Sequence, residues 1–473
     1  MRMHYVLGKT IRGLYKDSIF SEAPKYSDYK IYSSQYQRTI ISAYSHIQGL
    51  YPKGTGQVIT TTNPTTIAPG FGPESQRTNY LPNTNSSLPH RQRLLPVVVI
   101  NRTQDYLFMK GVGYGLCEGA HQKAKKLFSE YSKKIHKNYY DFGEQLEAAG
   151  HPCSEFFPDC GLDDNYDLKH LGDFADVNKC TFYDKGRALI GMKPYYDQLR
   201  WIFGISYIAQ KYINKQAQKM YTTHIAESVL LEIEKKMQNK SELKFVGFSG
   251  HETNVIPFML GYGLTSLDCQ LKKFMAEYKT SEEAKEGKGQ QKCEMSPAFA
   301  ANFIWELSHP KNDKKTFYVK TMYNGEVIQS CRKMTKDGYC PYEKFKDYFV
   351  ERLVMTRHEF NIACSGKNEL NYLLGNRMFL IACSLALIFI GMVLYVVFVM
   401  FSFFYLKLKK SRVKSRRGKG KSRSVTNNNQ TRLTQPLTKL SSDASDNKAG
   451  LGIEGSEPPR QSGLAEAGET NED

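Results

Sequence analysis

The sequence predicts an α/β domain with a helical cap, and one transmembrane helix near the carboxyl end. Residues 243–263, LKFVGFSGHETNVIPFMLGYG, form an apolar β-type run that turns through Ser249-Gly250 into an amphipathic helical pattern. Residues 378–406, MFLIACSLALIFIGMVLYVVFVMFSFFYL, are 29 residues without a charge, which exceeds the ~20 needed to cross a bilayer. The first stretch predicts a strand-to-helix unit, and the second predicts a membrane span.

His251 and Glu252 stand at the turn between the predicted strand and helix. In open α/β sheets, ligands bind beyond the carboxyl ends of the strands, where helix N-termini attract anions. A histidine and a carboxylate there could bind an anion and donate a proton to its leaving group. A loop histidine beside an acid that complements the helix dipole is the alternative, and the residues alone leave both interpretations open.

The net charge of +18 suits an anionic substrate or surface, although a lysine-rich solvated surface explains it equally well. The length of 473 residues with 41% hydrophobic residues supports one large or two smaller domains with real cores.

Two helices are predicted at the amino end. Residues 1–20 show an amphipathic helical pattern, and residues 33–50, SSQYQRTIISAYSHIQGL, begin with Ser34 and Gln37 in the positions of a capping box. Arg38 then falls in the first turn, where the helix dipole and the guanidinium fork favour a phosphate. A plain surface charge is the alternative for an arginine at this position.

A short buried strand, a helical cap and a late hairpin are predicted for the rest of the domain. The strand is at residues 96–100, and cap helices are predicted within residues 117–150 and 194–239. PAFAANFIWEL and TFYVKTMYNGEVIQ are interpreted as strands, the second turning through Asn324-Gly325. Three histidines in the cap region are interpreted as surface or packing residues: His136, His170 and His224.

Several motifs resemble those of the histidine acid phosphatases. SGHET at residues 249–253 is similar to the family pattern S-[AG]-H-D-T, with Glu252 in place of the usual Asp. SSQYQRTIISA resembles S-T-D-x-D-R-T-x-x-S-A without its two acids, and CPYEKF, which begins at Cys340, is similar to C-P-x-x-x-F. The resemblance covers roughly residues 1–364 and implies a phosphoglycerate-mutase-like mixed sheet flanked by helices with a helical cap.

The resemblance also implies a chemistry, the hydrolysis of a phosphomonoester substrate through a phosphohistidine. Arg38 and His251 would bind the substrate phosphate. His251 and Glu252 would be catalytic, the first by stabilising the transferring group and the second by protonating the leaving alkoxide. The route needs no metal and no other cofactor.

The family's nucleophilic histidine lies in R-H-G-x-R-x-P, which is expected before Met1 because MRMHYVLG resembles the helix that follows this motif. PHRQRLLP at residues 89–96 is rejected as a displaced copy, since it has no Arg before the His and no Gly after it, and it precedes a strand. We therefore expect the chain as written to lack phosphatase activity.

Two functions from different classes remain open. In the first, the native protein is a membrane-anchored acid phosphatase whose nucleophile segment is missing from this chain. In the second, the chain is a non-catalytic phosphatase-like ectodomain that acts as a binding or adhesion module. The first is favoured because an export signal, a core strand and the nucleophile motif are absent together, and one missing upstream segment explains all three.

Residues 407–423, KLKKSRVKSRRGKGKSR, hold ten basic residues and no acid. The positive-inside rule makes this flank cytoplasmic and predicts a single-pass type I membrane protein, with its ectodomain outside the cell or in a lysosomal or vacuolar lumen. A lipid-headgroup anchor explains the basic run better than nucleic acid binding, so no nucleic acid partner is expected. A homodimer is left open.

The predicted organisation is an amino-terminally incomplete ectodomain at 1–364, a link at 365–377, the span at 378–406 and a basic, then disordered, tail at 407–473.

Nine of the ten cysteines lie in the predicted ectodomain and none belongs to a C-x-x-C pair, which favours disulfides in an oxidising compartment over a zinc site. The charged loop between Cys269 and Cys293 suggests that these two pair, and among Cys153, Cys160 and Cys180 only two can pair. The resemblance implies two further pairs, Cys117–Cys364 and Cys331–Cys340. Three sequons are compatible with glycosylation, at Asn85, Asn101 and Asn239.

Overall fold

The structure is a computed structural model of the chain. It describes residues 1–16, 18–20, 25–58, 86–112, 115–160, 166–278, 293–367, 371 and 377–417. The chain forms two compact units, residues 1–386 and residues 387–473. The charged loop at 279–292, the sequon at Asn85, most of the link at 365–377 and the tail beyond residue 417 lie outside the described residues.

The chain combines helices with short strands, which confirms the predicted α/β class. The helices are α1 (Arg2–Tyr15), α2 (Gln37–Leu50), α3 (Glu118–Ala148), α4 (Cys153–Phe156), α5 (Leu168–Lys185), α6 (Tyr196–Lys211), α7 (Lys215–Met237), α8 (Glu252–Gly261), α9 (Leu267–Tyr278), α10 (Tyr342–Leu353), α11 (Arg357–Ser365) and α12 (Arg377–Arg417). The strands are β1 (Tyr29–Ser34), β2 (Val98–Ile100), β3 (Phe245–Ser249), β4 (Phe303–Ser308), β5 (Tyr318–Tyr323), β6 (Glu326–Val327) and β7 (Tyr339–Pro341).

The strands of the first unit form two sheets. The first has the order β2-β1-β3 and is parallel throughout, with Ser33 of β1 opposite Ser249 of β3. The second is antiparallel in the order β4-β5-β6, with β7 also paired to β5. β5 and β6 form the hairpin predicted at Asn324-Gly325, where Asn324 has φ 50° and Gly325 has φ 85°.

The amino-terminal half of the first sheet departs from the sequence prediction in three respects. β1 was not predicted. Helix α2 begins at Gln37 with Tyr36 as its N-cap, so the capping box through Ser34 is wrong: Ser34 is the last residue of β1, and its hydroxyl bonds to Thr39 and His251. β2 is not a buried strand, because Val98 and Val99 are 45% and 41% exposed at the sheet edge.

Strands β3 and β4 belong to different sheets but pack on the same apolar clusters. Within the described residues, β3 pairs only with β1 and β4 only with β5. Both strands contribute to the same two apolar clusters: Phe248 and Trp305 pack on one, and Phe245 and Ile304 pack on the other. Every residue of both strands is partly exposed, although inward-facing residues of an interior strand should be buried.

The predicted helical cap packs around an aromatic core of its own. Phe142 of α3, Phe174 of α5, Phe203 of α6 and Phe274 of α9 are all fully buried in one cluster. Helices α3, α6 and α7 fall within the predicted ranges, whereas α5 was not predicted. His170 of α5 is buried and stacks on Phe157, so its interpretation as a packing residue is confirmed.

Four disulfides close the first unit. The predicted pairs Cys117–Cys364, Cys269–Cys293 and Cys331–Cys340 are confirmed. Cys153 pairs with Cys160, which leaves Cys180 as a free cysteine and settles the open choice among the three. The first pair joins residues that are 247 apart in sequence, so it ties the start of the cap to α11.

Helix α12 contains the predicted apolar stretch. Within its segment Leu380–Lys409, an 18-residue window has a mean hydropathy of 2.8, and the segment is long and apolar enough to cross a membrane. Among the described residues, no other helix meets this criterion. The helix and the disulfides together are consistent with a secreted or lumenal domain next to a membrane.

A close crossing of α1 and α2 positions the helix that carries Arg38. A Cβ atom on Gly8 would lie 2.3 Å from the carbonyl oxygen of His46, and one on Gly49 would lie 2.1 Å from that of Tyr5. Glycine is therefore required on both sides of the contact, because backbone atoms cannot move aside as a flexible side chain can.

We expect Gly8→Ala to lower the free energy of unfolding by about 1–3 kcal/mol, because the added methyl group forces the helices apart. Gly13→Ala is the matched control on the same helix, since a Cβ there meets nothing within 4 Å. The control should leave stability unchanged or raise it by up to about 1 kcal/mol, because alanine is the better helix former. Thermal melts of both variants test this prediction. Equal melting temperatures of Gly8→Ala and Gly13→Ala would contradict the close crossing of α1 and α2.

Candidate active site

The elbow between β3 and α8 places His251 at the carboxyl edge of the first sheet. His251 is the N-cap of α8, and its backbone N–H donates to Oδ1 of Asn254 over 3.0 Å. The side-chain amide of Asn254 donates in turn to the carbonyl oxygen of Phe108 over 2.8 Å. The asparagine therefore fixes the elbow to the segment that follows β2, and both of its partners lie within the first unit.

A chain of hydrogen bonds holds the imidazole of His251. Its Nε2 lies 2.7 Å from Oγ of Ser34, which lies 2.9 Å from Oγ1 of Thr39. Nη2 of Arg38 lies 3.4 Å from Nδ1 of His251. Arginine can only donate, so Nδ1 accepts and Nε2–H donates to Ser34. Thr39 ends the chain by donating to the carbonyl oxygens of Ser34 and Tyr36, both at 2.9 Å.

Tyr36 gathers three cations beside the histidine. Its ring centroid lies 4.7 Å from Cζ of Arg38, 4.9 Å from Cζ of Arg102 and 6.0 Å from Nζ of Lys110. The ring of His251 meets Tyr36 edge to face at 4.9 Å. Arg102 and Lys110 were missed by sequence reasoning, since they lie in an irregular segment whose place in the fold no local pattern reveals.

The cations alter the titration of the site. Burial lowers the pKa of His251 to about 2, and Lys110, Arg38 and Lys211 act in the same direction. The imidazole is therefore neutral in the unliganded site. Burial also lowers the pKa of Lys110 to about 7 and lowers the pKa of Lys211. An anion bound among these groups would relieve their mutual repulsion, which makes the site electrostatically complementary to a phosphate.

Glu252 is the first residue of α8 and pairs with the cap. Its Oε2 accepts a 2.8 Å hydrogen bond from Nζ of Lys179, which lies on α5. Burial raises the pKa of the nearby Asp176 to about 6, and the charge of Glu252 acts in the same direction. Lys179 and Asp176 were not predicted as site residues, because α5 itself was not predicted.

The structure therefore brings together all three residues that the sequence singled out. His251 and Arg38 are in direct contact, and Glu252 follows His251 at the N-terminus of α8. An anion at this N-terminus would meet backbone N–H groups, the guanidinium and the imidazole at once. A neutral carboxyl group at Glu252 could donate a proton to a departing oxygen.

A second cluster of ligand-type groups lies in the cap. One ligand atom from each of Cys153, Cys160 and His170 falls within 4.8 Å of the others. The two sulfur atoms are joined in a disulfide, so they offer no thiolate to a metal. Within the described residues, no other such cluster of histidine, cysteine and acidic side chains is found.

Comparison with known proteins places the chain among phosphatases. The family model for the histidine phosphatase superfamily (branch 2) matches residues 1–324. A search of curated proteins finds no match. Solved structures with a similar fold include the Citrobacter braakii phytase, with 11% identity over 76% of this chain and 87% of that chain and a TM-score of 0.44.

Two other phytases are similar at the same level. The phytase of Klebsiella sp. ASR1 has 10% identity over 74% of this chain and 84% of that chain, with a TM-score of 0.45. The D. castellii phytase has 12% identity over 77% of this chain and 65% of that chain, with a TM-score of 0.40. Because the family match spans more than half of the chain and includes the elbow at His251 and the helix of Arg38, this protein belongs to the histidine phosphatase superfamily, branch 2.

Proposed function

We propose that this protein is the larger part of a membrane-anchored acid phosphatase, which hydrolyses phosphomonoesters through a phosphohistidine intermediate. The observation that carries the proposal is the contact between Arg38 and His251 at the N-terminus of α8. Family membership supports a phosphatase-type function, and the geometry of the site supports the individual roles.

Each of the three residues takes part in the proposed mechanism. Arg38 neutralises the oxygens of the substrate phosphate. His251 binds the same phosphate and stabilises the transferring group. Glu252 protonates the leaving alkoxide and then takes a proton from the attacking water.

We propose that the nucleophilic histidine lies on a strand outside residues 1–473. Among the described residues, no second histidine is in hydrogen-bond or ring contact with His251. Strands β3 and β4 do not pair with each other in the described residues and are partly exposed along their whole lengths, which supports a further strand beside them. Its carboxyl end would lie next to that of β3, at the edge of the sheet where His251 begins α8.

A non-catalytic binding module is the second candidate, and the same lack of a neighbouring histidine among the described residues favours it. In that case the site would bind a phosphate group without cleaving it. Activity of the protein with the added strand distinguishes the two functions, because only the enzyme gains turnover.

The proposed topology is type I, with the cap and sheets outside the cell or in a lysosomal or vacuolar lumen. The basic residues after Leu406 support a cytoplasmic carboxyl end. The four disulfides support an oxidising compartment for the first unit. Asn101 and Asn239 are exposed there and are proposed glycosylation sites.

We expect the full chain to bind inorganic phosphate, and Arg38→Ala and His251→Ala each to weaken binding by about 10-fold or more, because a charge-assisted hydrogen bond is lost. Isothermal titration calorimetry measures the affinities. Arg91→Ala, on the rejected motif at residues 89–96, is the control and should bind as the wild type does. If both site variants bind phosphate as tightly as the wild type, phosphate does not bind at this site.

We expect no hydrolysis of an aryl phosphate at acid pH by the chain as written. An amino-terminal extension that carries an apolar strand followed by Arg-His-Gly-x-Arg-x-Pro should give turnover, because it supplies the nucleophile. The same extension with alanine in place of its histidine is the matched control. Turnover by the unextended chain would refute the missing nucleophile, and an inactive but folded extended protein would favour the binding module.

We expect sulfate affinity to fall as the pH rises through about 7, because Lys110 loses its charge there. Sulfate keeps a constant charge over this range, so the change reports the protein. The sulfate affinity should also change near pH 6, where Asp176 titrates, and this change should remain in Lys110→Met. Titrations between pH 5 and pH 9, from about one unit below the lower value to about two units above the higher, test this; a break near 7 that survives in Lys110→Met would exclude Lys110 as its source.

A further inference from the structure

We propose that Lys179 is a positioning residue for the active site: it neutralises and holds the carboxylate of Glu252 so that an anion can bind beside His251. The inference rests on the proposed phosphatase function. It assigns to the cap a task in substrate binding that the three residues of the elbow and α2 do not perform.

Lys179 is built into the protein interior. It is 6% exposed, and its Nζ donates to Oε2 of Glu252 over 2.8 Å and to the carbonyl oxygen of Pro297 over 3.0 Å. The ammonium group also lies 4.4 Å from the ring centroid of Phe203 and 5.6 Å from that of Phe299. A buried lysine with these contacts has one orientation, and its charge is directed at Glu252.

The negative charge of Glu252 needs a compensating cation because it lies next to the proposed phosphate site. It directly follows His251, and its charge is felt by Lys110 and Lys211, the two lysines that also act on His251. An uncompensated carboxylate at this place would repel a phosphate that binds to the same group of cations. At separations of a few ångströms in a partly buried site, that repulsion amounts to several times the thermal energy.

The remaining neighbours do not replace Lys179. Asp176, one turn earlier on α5, adds a further acid to the surroundings of Glu252. Nζ of Lys110 donates to Oγ1 of Thr253, and Nζ of Lys211 lies 5.7 Å from the ring centroid of Tyr207. Among the described residues, Lys179 is the cation recorded in an ion pair with Glu252.

The pair also connects the cap to the elbow. Lys179 lies on α5, which packs on α6 in the cap core, whereas Glu252 opens α8 beside the sheet. A glutamate in place of the family's usual aspartate adds one methylene, which extends the carboxylate toward the cap. The carboxylate of Glu252 is therefore held by the cap.

The test is a double-mutant cycle on phosphate binding. The full chain in detergent is titrated calorimetrically with inorganic phosphate as wild type, Lys179→Met, Glu252→Gln and the double variant. Lys179→Met should weaken binding by about 10-fold or more, and adding Glu252→Gln should return the affinity to within about threefold of the single Glu252→Gln variant. Lys185→Met, an exposed lysine on the same helix, is the matched control and should bind as the wild type does.

The outcomes separate this inference from the proposed function. If Lys179→Met binds phosphate as tightly as the wild type, the inference is wrong and the phosphatase proposal stands. If the double variant binds much more weakly than Glu252→Gln, Lys179 contacts the phosphate itself or supports the fold, and the positioning role is excluded. A wild type that binds no phosphate overturns both.

Folding of the variants does not leave the question open. If Lys179→Met fails to fold because it leaves Glu252 buried and unpaired, the comparison of Glu252→Gln with the double variant still decides. Both replace the carboxylate, so a loss of affinity in the double variant excludes the positioning role. Lys179→Gln, which keeps a hydrogen-bond donor to Glu252 without the charge, then takes the place of Lys179→Met; it should bind phosphate about 10-fold more weakly than the wild type, and wild-type affinity would overturn the inference. Melting temperatures of all proteins confirm that folded samples are compared.

Discussion

The parallel pairing of β1 with β3 is the interaction on which the site depends. It places Ser33 opposite Ser249, so that both strands end at the same level of the sheet. The chain then enters α2 after β1 and α8 after β3, and the two helices begin side by side. Arg38 and His251 meet for this reason, although 213 positions separate them in the sequence. A shift of the register by one residue would turn Ser34 away from the imidazole.

The site concentrates positive charge that the fold must tolerate. Two lysines with lowered pKa values, two arginines and a neutral histidine lie around Tyr36 and the elbow. Their repulsion opposes folding, and the aromatic ring and the hydroxyl chain through Ser34 and Thr39 offset only part of it. Such an arrangement is typical of a site whose ligand supplies the missing negative charge. The cap contributes the acid Asp176, and it also contributes Lys179, which compensates the charge of Glu252.

Sequence reasoning was successful where function depends on local pattern. A strand that ends before a polar turn and a helix start marks His251 and Glu252, and the first turn of a helix marks Arg38. Three of the four cysteine pairs followed from loop flanks and family resemblance. It failed at β1, because YKIYSS has the alternation of a strand but its polar end was taken as the start of the next helix. Arg102, Lys110 and Lys179 reach the site only through tertiary packing, which no local pattern predicts.

The packing of β3 and β4 connects the core of the domain with the active site. Phe245 and Phe248 of β3 lie on opposite faces, and each packs on a different core cluster that also receives a side chain from β4. A strand between them would pair on both sides and bury both faces, which is the position of highest contact within a sheet. Folding and catalysis would then depend on the same segment, since a strand that fills the gap brings its carboxyl end to the elbow where His251, Arg38 and Glu252 are already in place.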